Sequence, residues 1–313
     1  MPILLPGDCW FMSALSAITL NPGLLRRVVP DDQDFTRKYI GIFHFRFWQC
    51  GEWVDIVVDD QLPVSYDNQL CFSHSRSENE FWSALLEKAY AKLHGSYGAL
   101  DAGKCYEATE DLSGGVTERF FFQKEEPPRN LFSIIAKAIQ RGSLITCSVP
   151  GNIEEENESG LVAGHGYCVT GARQCKVNVP WKSHVDLVRL RNPWGDEVEW
   201  KGAWSDEAEE WRLVPEEYKK KMKLTAEADG EFWMTFREFL KNFEGVSITS
   251  LNPHSLNKEA LLCMNDLAAV VNQIYLHQNN LSVTKRKVWE VVTYDGSWVR
   301  NSTAGGAPNN VSK

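Results

Sequence analysis

The chain has 313 residues, 43% of them apolar and 24% charged, an ordinary balance for a water-soluble globular protein with material for about two domains. Its 42 acidic against 33 basic residues leave a net charge of −9, which argues against nucleic acid or an anionic membrane as the main partner. Eight cysteines without CxxC or metal-ligand spacing do not make a disulfide scaffold; reduced, largely buried thiols are expected instead.

Met1 to Leu5 is too short for a signal peptide and lacks its basic flank, and no apolar run approaches membrane-spanning length, so a cytoplasmic chain is expected. An opening this close to Pro6-Gly7 is read as an N-terminal truncation. Trp10 to Leu20 is an apolar and small-residue run stopped by Asn21-Pro22-Gly23, which predicts a buried helix with Cys9 at its N-terminus. Ile40–Trp48 and Glu52–Asp60, joined at Gln49-Cys50-Gly51, predict a hairpin. Glu80 to His94 has helical period and Gly95 as its stop.

Beyond Gly103 the pattern changes. Gly114-Gly115 and Pro127-Pro128 break the chain, and Leu131–Gln140 predicts one more amphipathic helix. Strands are predicted at Leu144–Val149, Gly166–Gly171, Val185–Arg191, Glu231–Phe236 and Val246–Leu251. The expected class is α+β, with a helical lobe over residues 1–102, a β-rich lobe over 103–252 and a cleft between them. Residues 253–284 are expected to be a linker. Residues 285–313 begin a new strand pattern that cannot stand alone, and so are expected to open a further domain. The acidic runs Glu154–Glu158 and Asp206–Glu210 suggest solvated loops.

Three widely separated residues carry chemistry. Cys9 precedes the first helix, His165 lies in Gly164-His165-Gly166-Tyr167, and Asn192 lies in Arg191-Asn192-Pro193-Trp194-Gly195. A thiol with pKa about 8.5 is mostly protonated at neutral pH; a helix N-terminus and a neighbouring imidazole both favour its thiolate. His165 would take the thiol proton and return it to a leaving amine, while Asn192 would orient the imidazole through its side-chain oxygen. Trp194 would cover that hydrogen bond. Cysteine and histidine stand 156 positions apart here, close to the roughly 130–150 of papain-type proteases.

The segments PGDCWFMSALSAI, GEWVDIVVDDQLP, NEFWSALLEKAYAKLHGSY, GGVTE, GHGYCVTGA, RLRNPWGDEVEWKGAWSD and DGEFWMTFREF resemble the protease core of the calpains over about residues 7 to 252. VWEVVTYDGSWVRNSTAGG resembles the opening of the C2-like β-sandwich that follows that core. The resemblance implies a papain-like two-lobed fold and a calcium-dependent intracellular cysteine endopeptidase that performs limited proteolysis of protein substrates. It implies the triad Cys9, His165 and Asn192, Trp194 as a gate, and Gly103 and Gly164 facing substrate backbone.

No EF-hand loop is present. The resemblance instead implies Ca2+ held in the β lobe by Glu199, Asp206, Asp229 and Glu231 with a backbone carbonyl near Glu227, and in the helical lobe by Glu80 with an upstream loop. It also implies a small regulatory subunit, engaged through C-terminal domains that lie outside this sequence. One departure stands out. The family's oxyanion glutamine corresponds to Ile3, which has no donor, and loss of such a donor costs about 10²–10³ in rate. The alternative is therefore a truncated calpain-like fragment, weak or inactive in catalysis, that acts by binding.

Overall fold

The computed structural model describes residues 7–251, apart from 37–38, 76, 78, 124–125, 153 and 180–181. The proposed linker, the C2-like tail and Ile3 lie outside the described residues. Helix α1 (Cys9–Ile18) starts at the cysteine, where the Asp8 carbonyl accepts from the N–H groups of Phe11 (2.8 Å) and Met12 (3.0 Å). Trp10, Phe11, Ala14, Leu15, Ala17 and Ile18 are all buried, so the helix is enclosed on every side, as its nearly unbroken apolar sequence requires.

Asn21-Pro22 ends α1 and also starts another helix, α2 (Pro22–Val28). The Asn21 side chain accepts from Leu24 N–H at 3.1 Å, and proline occupies a first-turn position that needs no N–H. The expected stop is thus a stop and a cap together. Strands β1 (Ile42–Gln49) and β2 (Glu52–Asp59) pair antiparallel with Gln49 opposite Glu52. Cys50 and Gly51, at φ 51° and 92°, form the two-residue left-handed turn whose twist suits a hairpin. Phe43, Phe45 and Phe47 alternate inward, as the period of two demands.

Helix α3 (Trp82–His94) stops at Gly95 (φ 101°) and packs Leu85, Leu86, Ala89 and Tyr90 against α1 and β1. Tyr90 stacks on Phe11 at 4.2 Å, and its hydroxyl donates to Asp111 (2.9 Å) at the end of α4 (Cys105–Asp111), a helix without a strong sequence signal. Both rings are fully buried. Phe11→Ala should lower stability by about 3–5 kcal/mol, read as an earlier denaturant midpoint.

The rest is one six-stranded antiparallel sheet with neighbours in the order β3-β10-β4-β7-β8-β9. Its strands are β3 (Val116–Phe121), β4 (Leu144–Ser148), β7 (Gly166–Val179), β8 (Lys182–Arg191), β9 (Glu231–Thr235) and β10 (Gly245–Ser250). Two short strands, β5 (Glu155–Glu156) and β6 (Val162–Ala163), pair separately, and the helices of this half are α5 (Leu131–Gln140), α6 (Glu216–Met222) and α7 (Phe236–Asn242).

Both sheet faces are covered. Val188, Leu190, Phe232 and Met234 join Ile135, Phe239 and Phe243 in one core, while Leu187 and Trp233 join Trp204, Trp211 and Met222 in another. Gly171, expected to end a strand, instead marks a register shift within the longer β7, where a Cβ would press on Arg189 and Trp233. The class is α+β in two lobes: the core around α1 and α3 also takes in Leu144 and Cys168 from the sheet. That contact packs α1 against β4 and β7, with Cys9 beside Gly166 at the start of β7 and Arg191 at the end of β8 reaching Ser16 and Thr19.

Candidate active site

Cys9 opens α1 and is half-buried. His165 precedes β7 and is fully buried; its carbonyl accepts from Val149 N–H at 3.0 Å, and Gly164 N–H donates to the Val149 carbonyl at 3.1 Å. Gly164 itself has φ 65°, the left-handed backbone that glycine adopts without strain. Asn192 follows β8, is fully buried and is anchored by its N–H to the Gly230 carbonyl at 2.9 Å.

The hydrogen bonds fix the orientation of the Asn192 amide. Its Nδ2 donates to the Val198 carbonyl (3.1 Å) and its Oδ1 accepts from Trp194 N–H (3.1 Å). That same Oδ1 lies 2.9 Å from His165 Nε2, so Nε2 carries the hydrogen. The Trp194 ring lies 4.7 Å from the imidazole and is 45% exposed, which makes it a cover over this bond on the solvent side.

The other imidazole nitrogen faces Glu154. Nδ1 and Oε1 are 2.9 Å apart, a contact that requires one hydrogen between them. Burial alone would raise the Glu154 carboxyl, but hydrogen bonds from His165 and from Cys9 outweigh it and hold the group below its usual range. The Cys9 thiol is pushed well up, by burial first and then by its hydrogen bond to Glu154 and the charge there. Cys9 Sγ, a Glu154 oxygen and a His165 nitrogen lie within 4.8 Å of one another. The thiol in this conformation is a protonated donor to a carboxylate, not a thiolate paired with imidazolium.

Glu154 corrects the reading of Glu154–Glu158 as a solvated loop. Its signal was absent from the sequence, because one acid in an acidic run has nothing to distinguish it. Gly103 also acquires a structural reason. A Cβ there would lie 2.1 Å from the Trp10 ring, whose indole N–H is fixed by the Leu100 carbonyl at 2.8 Å.

The β-lobe acids gather around Asp206. Both its carboxylate oxygens are buried without a partner, the Glu227 N–H giving only weak relief outside hydrogen-bond geometry. Burial, followed by the charges of Glu199 and Asp229, pushes its pKa to about 7. Asp206 therefore corrects the reading of Asp206–Glu210 as simply solvated.

Glu199 accepts from Gly230 N–H (2.7 Å), and the Glu227 carbonyl accepts from Asp229 N–H (2.8 Å). Glu231 is ion-paired to Arg191 at 2.8 Å and Arg189 at 3.5 Å. Orphaned buried oxygens amid like charge are what a hard cation would relieve, although among the described residues these acids do not converge as tightly as the Cys9 group. Glu80 is exposed and accepts from Trp82 Nε1 (2.9 Å) and from the Ser75 hydroxyl.

Comparison with known proteins identifies the family. Residues 5–250 match the model of the calpain family cysteine protease. The chain is 46% identical over 306 residues to calpain clp-1 of Caenorhabditis elegans, 45% over 309 residues to calpain-A of Drosophila melanogaster, and 46% over 307 residues to human calpain-9. Each alignment covers 97% of this chain but only 36%, 34% and 40% of the respective relative, so the chain spans little more than a third of their length.

Proposed function

Since this chain belongs to the calpain family of cysteine proteases, we propose that it is the catalytic core of a calcium-dependent endopeptidase making limited cuts in intracellular protein substrates. The observation that carries the reading is the fully buried His165–Asn192 pair set beside a cysteine at a helix N-terminus.

In the reaction, Glu154 first moves aside as the hydrogen it shares with His165 Nδ1 passes to solvent, and the freed Nδ1 then takes the Cys9 proton. The thiolate attacks the scissile carbonyl and a carbon–sulfur bond forms. His165 then protonates the departing amine, and water hydrolyses the thioester. Asn192 keeps Nε2–H engaged throughout, and Trp194 screens that bond from water. Gly103 and Gly164 are assigned to the substrate main chain, which approaches closely only where no Cβ intervenes.

Calcium is assigned to Glu199, Asp206, Asp229 and Glu231 with the Glu227 carbonyl, and a weaker site to Glu80. Calcium bound there would supply positive charge that neutralises the repulsion around Asp206. A route from these acids to the cleft is present. Lys201 N–H donates to the Ser159 carbonyl (2.8 Å), and Gly160 packs so closely under the Glu199 carbonyl that a Cβ would lie 1.8 Å from it. The segment carrying Glu154 and His165 is thereby tied to the acidic loop. A cytoplasmic location and a regulatory subunit bound through further domains complete the proposal.

Calorimetry tests the metal assignment. Calcium should bind with a Kd on the order of 10⁻⁴ M or weaker. Asp229→Ala should remove most of the heat and Glu80→Ala little. The reverse pattern would overturn the assignment. Asp206 adds a pH dependence. Its raised pKa means that its proton favours the cation-free fold below the ordinary carboxylate range, a contribution lost as pH rises through about 7. Calcium replaces that proton, so the calcium-induced rise in Tm should be larger above about pH 7 than below it.

A second reading is favoured by Ile3 at the family's oxyanion-glutamine position: a chain that binds protein without cutting it. Incubation with an unfolded protein substrate in calcium, against a chelator control, separates the two. Discrete calcium-dependent fragments support the endopeptidase; binding without fragments supports the alternative.

A further inference from the structure

The three donor atoms at the cleft are a thiol sulfur, a carboxylate oxygen and an imidazole nitrogen. They come from three segments: the start of α1, the stretch between β4 and β5, and the residue before β7. From these we propose that Cys9, Glu154 and His165 form an inhibitory site for a borderline-soft divalent cation, with Zn2+ the best match. The proposal rests on the protease reading for its consequence, since a metal-held thiolate cannot attack a substrate, but not for its geometry.

The donor set and spacing both fit. Zinc takes sulfur, nitrogen and oxygen together, and three protein ligands leave a fourth position for water. Tetrahedral zinc separates such donors by roughly 3.3–3.6 Å. Here Nδ1 and Oε1 are 2.9 Å apart and all three donors lie within 4.8 Å, so only small side-chain adjustments are needed.

The imidazole is already presented as a ligand. Its Nε2–H is held by Asn192 Oδ1 at 2.9 Å, the outer-shell bond that fixes ring orientation and directs Nδ1 inward. Hydrogen bonds from Trp194 N–H and to the Val198 carbonyl hold Asn192 in turn.

Charge balances as well. Without metal, the pocket holds a thiol proton and the proton shared between Nδ1 and Oε1. One Zn2+ entering as those two protons leave for solvent gives a thiolate, a carboxylate, a neutral imidazole and a dication, so the net charge is unchanged. That matters where His165 is fully buried and a surplus charge is poorly solvated. The all-oxygen cluster around Asp206 offers neither sulfur nor nitrogen and suits a hard cation instead.

The test uses the full chain. The rate of Cys9 alkylation by an epoxysuccinate is followed at increasing Zn2+, each variant being normalised to its own metal-free rate. Co2+ is used separately as a spectroscopic probe of thiolate ligation. Zn2+ should slow alkylation and Ca2+ should not, and Co2+ should give a thiolate-to-cobalt charge-transfer band. Glu154→Gln should raise the half-protecting Zn2+ concentration by more than the about 10–100-fold that loss of an outer-shell partner costs. Glu155→Gln, one residue away on the exposed β5, should leave it unchanged.

Equal protection of the parent and Glu154→Gln, or no charge-transfer band, would overturn the metal site. If Cys9 still labels selectively in that case, the protease reading survives. Conversely, a cobalt band lost in Cys9→Ala and weakened in Glu154→Gln, with unselective labelling of the metal-free chain, would keep the metal site and remove the protease reading.

Discussion

Cys9→Ala should abolish peptide-bond hydrolysis in a calcium-supplemented assay, a loss of roughly 10⁶-fold if the triad acts as a unit in the way known for serine proteases. The deeply buried cysteines cannot replace it. Cys147 and Cys175 are buried in the two sheet-face cores and Cys168 in the core around α1 and α3, and burial raises all three thiols. Cys105 is pushed up to about 12, again by burial. Cys9 is also raised in this conformation, but by a different set of causes: burial and then Glu154. A carboxylate that swings away takes its hydrogen bond and charge with it, whereas a core does not move. Residual turnover in Cys9→Ala near the parent rate would place the nucleophile elsewhere.

His165→Ala should lower turnover nearly as far, because one nitrogen both receives the thiol proton and returns it to the amine. Asn192→Ala should cost less, since the amide holds the ring without transferring a proton. It should still be felt, because Asn192 Oδ1 is the partner of Nε2 and the fully buried ring has Glu154 on its other side. Losing Asn192 therefore frees the imidazole to turn toward Glu154. The split is read by steady-state kinetics on one peptide substrate. Unchanged turnover in His165→Ala would require a different base, and an Asn192→Ala loss exceeding that of His165→Ala would contradict the orienting role.

How much of this was legible in the sequence depended on whether the determinant was local. Helix α3 was readable because its period and Gly95 stop act within one element, and the β1–β2 hairpin because Cys50-Gly51 needs only its own backbone. The Gly-His-Gly and Asn-Pro-Trp-Gly segments pointed to the imidazole and amide because those side chains are scarce and their flanks distinctive. Asn21 was half-read: a proline that ends one helix suits the first turn of another equally well. Gly171 was misread because a strand's continuation past a glycine is decided by its neighbours, here β8, and not by the glycine.

Long-range chemistry left no local mark. Glu154 matters because β5 and β6 pair and deliver one carboxylate of an acidic run to His165. Asp206 differs from Glu207 only because the fold buries it beside Glu199 and Asp229. Gly103 is required by a ring folded in from 93 positions away, Trp10. Such facts belong to the packed chain, and periodicity carries no information about them.

The central claim is that one cysteine of the eight is a latent nucleophile. The most direct measurement is site-resolved labelling of the chain by an epoxysuccinate with and without calcium, mapped by mass spectrometry. The account predicts labelling concentrated at Cys9, faster with calcium and lost in His165→Ala. Labelling spread over several cysteines at similar rates, indifferent to calcium and to His165, would contradict it.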